Sequence, residues 1–221
     1  RFEGNRTDSV VTSAPDVIRS LVAHPGTSTA AQDFLYAGAG HDLSFDIIDV
    51  DYRGVVQCCD THVTNWLVGF RSAEMEQDFW AVFRNGGTET VATDIDFNGA
   101  GLRVGFEGER YSRGRRLFAY GKTAASLMVG EFRADYAQSQ SFDPEVVDTN
   151  WKAGRMMPIL DLEVGAGWQS SCGTWRLSAG YLFSAWFNTV KTDEYIQAVR
   201  NNSYTGLGDT MTFDGFVARV E

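Results

Sequence analysis

The stretch 175–188 reads WRLSAGYLFSAWFN, and it alternates between two kinds of side chain. The odd positions are apolar or aromatic, whereas the even positions are mostly small or polar and include Arg176. A period of two indicates a β-strand whose two faces differ. A long strand with an aromatic-rich apolar face and a small, polar face is typical of a wall between lipid and a hydrated lumen.

The same alternation recurs along the chain and predicts seven strands. In 157–169, apolar residues occupy the even positions, and the opposite face carries Asp161 and Glu163. The first strand is irregular, because Leu43, Phe45 and Ile47 are out of phase with the apolar positions that follow them. This break predicts a β-bulge near Ile47. The predicted strands are 42–54, 62–75, 94–107, 116–130, 156–169, 174–188 and 211–221.

Composition narrows the fold and function classes. The chain has 221 residues, which favours one domain, and no apolar run approaches the ~18 residues of a spanning helix. With 23 glycines and only 4 prolines, an all-β class is favoured. The formal net charge of −10 argues against a nucleic-acid partner, which requires a basic face. We therefore predict a transmembrane antiparallel up-and-down β-barrel.

The predicted connections alternate strictly in length. Turns near 55–61, 108–115 and 170–173 are short, whereas 1–40, 76–93, 131–155 and 189–210 are long. All short turns then lie at one end of the barrel, the short-turn end, and all long connections at the other, the long-loop end. Outer-membrane barrels have short periplasmic turns and longer extracellular loops, so a periplasmic C-terminus is expected.

The long connections contain a predicted hairpin turn and a predicted short helix, and one of them marks a division of the chain. The connection 76–93 is expected to extend the barrel wall above the membrane as a hairpin, with Asn85-Gly86-Gly87 as its turn. The residues 193–200 predict a short helix, with Thr192 as N-cap and with Tyr195, Ile196 and Val199 on its apolar side. We divide the chain into 1–40, mostly a long extracellular loop, and 41–221, the barrel strands. The abrupt start at Arg1 predicts truncation at the N-terminus.

The inward positions of the predicted strands gather the charges. Their functional interpretation is a pore lining that tunes ion selectivity, and the alternative is an ion-pair network that fills a narrow barrel. Lys122 and Glu163 lie at similar depth on neighbouring strands, so we expect them to approach each other. The predicted lumen-lining residues are Asp49, Asp51, Arg71, Arg103, Glu107, Lys122, Asp161, Glu163, Arg176 and Arg219, and Glu221 shares their parity.

Aromatic residues cluster at the predicted strand ends, as in the aromatic girdles of a membrane barrel. The alternative is a set of ordinary core aromatics. The predicted girdle residues are Trp66, Phe106, Trp168 and Trp175 near the short-turn end, and Trp186 and Phe187 near the long-loop end.

No catalytic, cofactor-binding or metal-binding residues are predicted. The chain shows no serine elbow, no HExxH motif and no paired histidines, so an enzyme is not expected. The cysteines Cys58, Cys59 and Cys172 have neither metal nor redox spacing, and a disulfide from Cys58 or Cys59 to Cys172 stays open. No cofactor is implied.

Six stretches resemble the pore-forming outer-membrane proteins of the Legionella major outer membrane protein type, most closely the versions found in planctomycetes. They are GFRSAEMEQDF (69–79), FNGAGLRVGFEGER (97–110), GKTAASLMVGEF (121–132), PILDLEVGAGW (158–168), LSAGYLFSAWFNTV (177–190) and TFDGFVARVE (212–221). The resemblance implies a barrel with a cleaved signal peptide and further N-terminal strands. An even total of about ten to twelve strands would fit.

This resemblance implies a porin-like passive pore for ions or small solutes in the outer membrane of a Gram-negative bacterium. The expected partners are outer-membrane lipid or lipopolysaccharide, and ions or solutes in the lumen. One alternative is a structural or adhesive anchor with a filled lumen, whose extracellular loops bind a protein partner. A soluble ligand-binding barrel is the other alternative, and it predicts folding without detergent.

Overall fold

The computed structural model describes residues 2–59, 61–114, 116–141, 143–170 and 174–220. Eight strands form a single antiparallel sheet in which each strand pairs with the next along the chain. This confirms the all-β up-and-down architecture, although the sheet is an open, partial barrel whose edges are β1 and β8. The strands are β1 (Phe2–Val11), β2 (Tyr36–Cys58), β3 (His62–Arg84), β4 (Thr88–Tyr111), β5 (Leu117–Gln140), β6 (Asp143–Gln169), β7 (Arg176–Thr189) and β8 (Asp209–Val220).

The structure has one strand more than the seven predicted. The additional strand is β1, which lies in the part that we predicted to be mostly loop. It pairs with the first ten residues of β2, and the connection 12–35 is irregular apart from one bridge between Ile18 and Phe34. The connection 76–93 extends the wall as the predicted hairpin, because β3 and β4 meet at the turn 85–87. The predicted long connection 131–155 is also mostly strand, since β5 and β6 are separated only by 141–142. The prediction ended β5 too early and began β6 too late because the outer faces of these strands turn polar there.

The hairpin turn at Asn85-Gly86-Gly87 is confirmed. The backbone N–H of Asn85 donates to the carbonyl of Gly87 at 3.1 Å. Gly86 has φ of 70°, which is the left-handed region that favours glycine. The turn therefore joins two long strands that continue well beyond the apolar part of the wall.

The predicted β-bulge near Ile47 is wrong. The register between β2 and β3 runs unbroken from Tyr36 to Val55, and its first irregularity lies between Val55 and Gln57. Leu43, Phe45 and Ile47 therefore share the inward face with Asp49. The prediction failed because it assumed a polar interior along the whole barrel, whereas the inner face of β2 changes from apolar to charged.

The concave side of the sheet holds the main apolar cluster towards the long-loop end. Helix α1 (Thr192–Asn201) folds into this concave side, and the Tyr195 hydroxyl donates to the backbone carbonyl of Ala134 on β5 at 2.8 Å. The larger buried members of the cluster are Met75, Ile95, Phe97, Met128, Phe132, Tyr136, Met157, Ile159, Trp186 and Tyr195.

The predicted helix and its apolar side are confirmed, since Tyr195, Ile196 and Val199 are buried. The predicted N-cap is wrong, because Lys191 occupies that position without a side-chain cap. The Thr192 hydroxyl instead donates to Gln77 Oε1 at 3.4 Å. Among the described residues, no helix is long and apolar enough to cross a membrane.

The convex side carries the apolar residues that the alternation pointed outward. Val164 and Leu162 on β6 are exposed, whereas Glu163 between them is only 6% exposed. Tyr181 on β7 is also exposed, and Phe216 on the edge strand β8 is 92% exposed. The sheet therefore turns its hydrocarbon outward and its charges inward over its short-turn half, the reverse of a water-soluble β-sandwich.

Candidate functional site

A charged layer lines the concave face in the short-turn half of the sheet. Its centre is Arg71 on β3, which is 5% exposed and donates to both carboxylate oxygens of Asp49 on β2, at 2.7 and 2.8 Å. Arg71 Nη1 also lies 2.7 Å from Asp161 Oδ2 on β6. Arg71 thus connects strands on both sides of β4 and β5, which requires the sheet to be strongly curved.

Arg103 on β4 extends the same network. Its Nη1 lies 2.9 Å from Asp161 Oδ2 and 3.2 Å from Asp49 Oδ2, and its Nε lies 3.7 Å from Asp51 Oδ2. Two arginines and three carboxylates therefore form a part-buried cluster in which the carboxylates exceed the arginines by one. The predicted inward residues Asp49, Asp51, Arg71, Arg103 and Asp161 are brought together here.

A second ion pair lies beside this network. Glu163 on β6 accepts hydrogen bonds from both terminal nitrogens of Arg219 on β8, and one of them measures 2.8 Å. The Tyr120 hydroxyl on β5 donates to Glu163 Oε1, also at 2.8 Å. Three strands thus hold one carboxylate, which explains how an ionised glutamate is accommodated with little exposure.

Lys122 lies in register opposite Glu163, so the expected approach across neighbouring strands is found. The ion pair of Glu163 is nevertheless made with Arg219. The Lys122 ammonium lies 5.6 Å from the ring centroid of Tyr120, and the sequence pointed to no role for that tyrosine.

The remaining predicted lining residues use partners that the sequence analysis did not select. Glu107 lies 3.6 Å from Arg53 Nη2, and Arg176 pairs with Glu109 and lies over a phenyl ring on β5. The period-two parity already placed Arg53 in phase with Asp51, and Glu109 in phase with Glu107. Continuing the count to the strand ends would have found both. Cys172 and Glu221 lie outside the described residues, and Cys58 and Cys59 are free thiols.

Above the charged layer, towards the long-loop end, the concave face becomes aromatic. Phe45 on β2 lies 4.8 Å from Phe213 on β8 and 5.8 Å from Trp186 on β7, measured between ring centroids. Trp186 is 1% exposed, and its indole N–H donates to the hydroxyl of Ser184 at 2.9 Å. We predicted a girdle position for Trp186, and the structure corrects this because its side chain points into the concave side.

The other predicted girdle residues lie outside that inner layer. Phe187, the neighbour of Trp186 in sequence, is exposed on the convex side, as are Phe106, Trp168 and Trp175. Trp66 is half-buried, and its ring lies 5.7 Å from that of Tyr52. Trp186 and Phe187 are therefore neighbours in sequence but lie on opposite faces of the sheet. The clustering of aromatic residues alone does not distinguish the two faces.

A cavity of about 360 Å³ lies between the charged and aromatic layers. Arg71, Arg103, Lys122 and Glu163 line it from the charged side, and Trp186 closes it on the other side together with Phe213. A volume of this size holds several waters. The segment 190–208, with α1, packs over the aromatic layer, and the side chain of Gln77 binds the carbonyl of Val190 at 2.8 Å.

The convex face carries a belt of carboxylates beyond the apolar band. Asp94 on β4 lies in register with Asp78 on β3 and Asp135 on β5. Partial desolvation, and then the charges of Asp96, Asp78 and Asp135, raise the pKa of Asp94 to about 6. The belt consists of Glu74, Glu76, Asp78, Asp94, Asp96, Glu131 and Asp135, all exposed.

With this geometry established, the comparison with known families is decisive. The family model described as Legionella pneumophila major outer membrane protein precursor matches residues 11–216. The chain belongs to this family. It is therefore an outer-membrane protein, in agreement with the outward apolar band and the inward charges. Searches of curated proteins and of solved structures found no match.

Proposed function

We propose that this outer-membrane protein is a porin-like passive pore for ions or small solutes. The observation that carries the proposal is the charged layer, because it lines the concave face at the level where the convex face is apolar. Charge on the inner wall of a membrane barrel is the usual determinant of ion selectivity. The described arginines of this inner wall are engaged with carboxylates, and we propose a role without catalysis.

The proposed pore is nearly neutral. The ten predicted lining residues comprise as many acids as bases, and the arginines among them are engaged with carboxylates. Lys122 is the base in this set for which the described residues provide no carboxylate within 4 Å. We therefore expect weak ion selectivity that responds to the charge of Lys122 more than to that of any paired arginine.

Conductance in planar lipid bilayers tests this proposal. The reconstituted protein should show discrete conductance steps with a reversal potential near zero in a potassium chloride gradient. Lys122→Gln should shift the reversal potential towards cation preference, whereas the conservative Lys122→Arg should leave it unchanged. Absence of any conductance from correctly folded protein would refute the pore.

A second candidate function is a structural or adhesive anchor with a filled lumen. The aromatic layer and the α1 segment favour it, because both occupy the concave side where a channel would pass. Trp186→Ala separates the two candidates. In a constricted pore the smaller side chain should raise the conductance, whereas a filled anchor should conduct neither before nor after the change. The anchor also predicts that exposed loops bind a surface partner.

The orientation belongs to the same proposal. The short-turn end carries the connections 59–61, 112–116 and 170–175, and the C-terminal strand β8 runs towards that end. Because outer-membrane barrels place short turns in the periplasm, we propose a periplasmic C-terminus, with 12–35 and 190–208 at the cell surface, facing lipopolysaccharide. Antibody access to a C-terminal tag on intact and permeabilised cells tests this.

A further inference from the structure

A polar cavity of about 290 Å³ lies at the long-loop end, away from the charged layer. It is bounded by the connection 12–35, the turn 85–87 and the adjoining ends of β4 and β5. Its lining supplies hydroxyl and amide groups and one carboxylate. The polar side chains at the cavity are Thr29, Gln32, Asn85, Thr88, Glu89, Gln140 and Ser141.

Glu89 is the carboxylate of this cavity and is only 2% exposed. Its Oε1 accepts a hydrogen bond from Gln138 Nε2 at 3.1 Å, and the Thr29 hydroxyl also binds the carboxylate. Its Oε2 is buried and has no hydrogen-bond partner among the described residues. A buried carboxylate is costly unless a positive group or a further donor compensates for its lost hydration.

The elements packed around Glu89 do not supply that positive group. Phe83 faces it in register from β3, and Gln140 from β5. The Glu89 charge acts on Tyr136 of β5, and the backbone N–H of His24 in the connection 12–35 donates to Gln138, the hydrogen-bond partner of Glu89. Within the described ranges, no Lys, Arg or His forms an ion pair with Glu89, and burial raises the pKa of its carboxyl group.

We propose that this cavity binds a hard divalent cation, namely Ca²⁺. Glu89 is the one charged side chain that coordinates the ion. Ca²⁺ takes six to eight oxygen ligands in a flexible geometry, which hydroxyls, amide carbonyls, backbone carbonyls and water can supply around one carboxylate. No group of three or more His, Cys, Asp or Glu side chains suited to a metal occurs in the described part of the chain. The site must therefore depend on neutral oxygens, and its dissociation constant should be about 10⁻⁴–10⁻³ M.

The cation would hold the connection 12–35 against the inner wall. That contact is already polar, since Gln140 Nε2 donates to Thr29 Oγ1 at 2.7 Å and the His24 N–H donates to Gln138 Oε1 at 2.9 Å. Adding a bridge between Glu89 of the wall and an oxygen of Thr29 would lower the population in which the connection opens. This inference concerns the surface end of the barrel and is independent of whether the lumen conducts.

Limited trypsin digestion of the folded protein in detergent tests the proposal. Arg19 is exposed but is followed by the buried Ser20, so cleavage between them requires the connection to open. Cleavage then tracks the open population, which falls by the factor 1 + [Ca²⁺]/Kd. With a Kd of about 1 mM, 10 mM CaCl₂ should slow cleavage at Arg19 roughly tenfold. Cleavage at the exposed Arg113, in a turn at the opposite end, is the internal control.

Glu89→Gln should abolish the protection at Arg19, and the matched control Glu131→Gln, which removes an exposed carboxylate of the outer belt, should preserve it. Thr29→Val should weaken protection while leaving the carboxylate in place. Equal protection in Glu89→Gln, or none in the unchanged protein, would overturn the proposal, because the buried carboxylate would then be neutralised by a proton alone.

Discussion

The ion pair between Glu163 and Arg219 offers a direct measurement of how strongly the sheet is curved. The two residues lie on β6 and β8, with β7 between them. Neighbouring strands are ~4.8 Å apart, so β6 and β8 are separated by nearly 10 Å in a flat sheet. The bidentate contact across that distance requires both side chains to converge on the concave side. Glu163→Gln should therefore destabilise the barrel.

The magnitude follows from the exposure of the two partners. Breaking a fully buried ion pair costs about 3–5 kcal/mol, whereas an exposed pair contributes about 0–1 kcal/mol. The Glu163 side chain is 7% exposed but that of Arg219 is 35% exposed, which places this pair between the two limits. We expect Glu163→Gln to lower the free energy of unfolding by about 2 kcal/mol. The glutamine amide keeps one acceptor for Arg219 but leaves its charge uncompensated.

Urea-induced unfolding of the protein in lipid vesicles, followed by tryptophan fluorescence, measures this change. A double-mutant cycle of Glu163→Gln with Arg219→Gln should give a coupling free energy of about 1.5 kcal/mol. The exposed pair of Glu131 and Arg133 is the matched control, and its cycle should give less than about 0.5 kcal/mol. If both cycles gave the same small coupling, the two side chains would not meet over β7 on the concave side, and the inferred ion pair would be wrong.

Three further predictions address other parts of the molecule. Because the pKa of Asp94 is raised to about 6, its contribution to stability is complete below its usual pKa and is lost as the pH rises through about 6. Asp94→Asn should recover on the order of 1 kcal/mol at pH 8, since solvent screens this exposed group, and urea unfolding at pH 5 and pH 8 measures it. Gly101→Ala should cost about 1–3 kcal/mol, because a Cβ there would lie 2.0 Å from the carbonyl of Leu127, whereas Gly108→Ala, which meets nothing within 4 Å, should be neutral in the same assay. Tyr195→Phe removes the hydrogen bond from α1 to β5, worth about 1 kcal/mol, so amide hydrogen exchange in α1 should accelerate roughly fivefold.

The strands and their two faces can be predicted from local sequence, because a wall between lipid and a lumen alternates outward apolar residues with inward polar ones. Val164 exposed beside buried Glu163 shows the rule holding on β6. The same reasoning explains the failures. Beyond the apolar band the outer face needs no hydrocarbon, so the lipid-type contrast ends at Glu74 and Asp94 although the strands continue.

The contacts across the lumen were harder to predict. The alternation of each strand identifies Glu163 and Arg219 as inward residues. Their pairing across β7 depends on the curvature of the sheet, which no local sequence pattern encodes. The alternation along β7 also places Trp186 on the inward face, together with Arg176 and Ser184. The clustering of aromatic residues instead suggested a girdle position, and the structure agrees with the alternation. The sequence gives no sign of Glu89 as an unpartnered buried carboxylate, because its environment is built by the connection 12–35, which is distant in sequence.

The change of the inner wall from charged to aromatic has a physical reason in the segment that covers it. Over the short-turn half, arginines and carboxylates line the inner wall and satisfy one another. Over the next part, α1 brings Tyr195 and Ile196 onto the wall, and these side chains need an apolar surface for burial. Trp151 lies 6.4 Å from the ring of Tyr195, and Phe45 and Phe213 pack against the same apolar cluster. Leu43, Phe45 and Ile47, which are out of phase on β2, are therefore the sequence signal of an inserted segment. The inward face becomes apolar where the segment 190–208 packs against it.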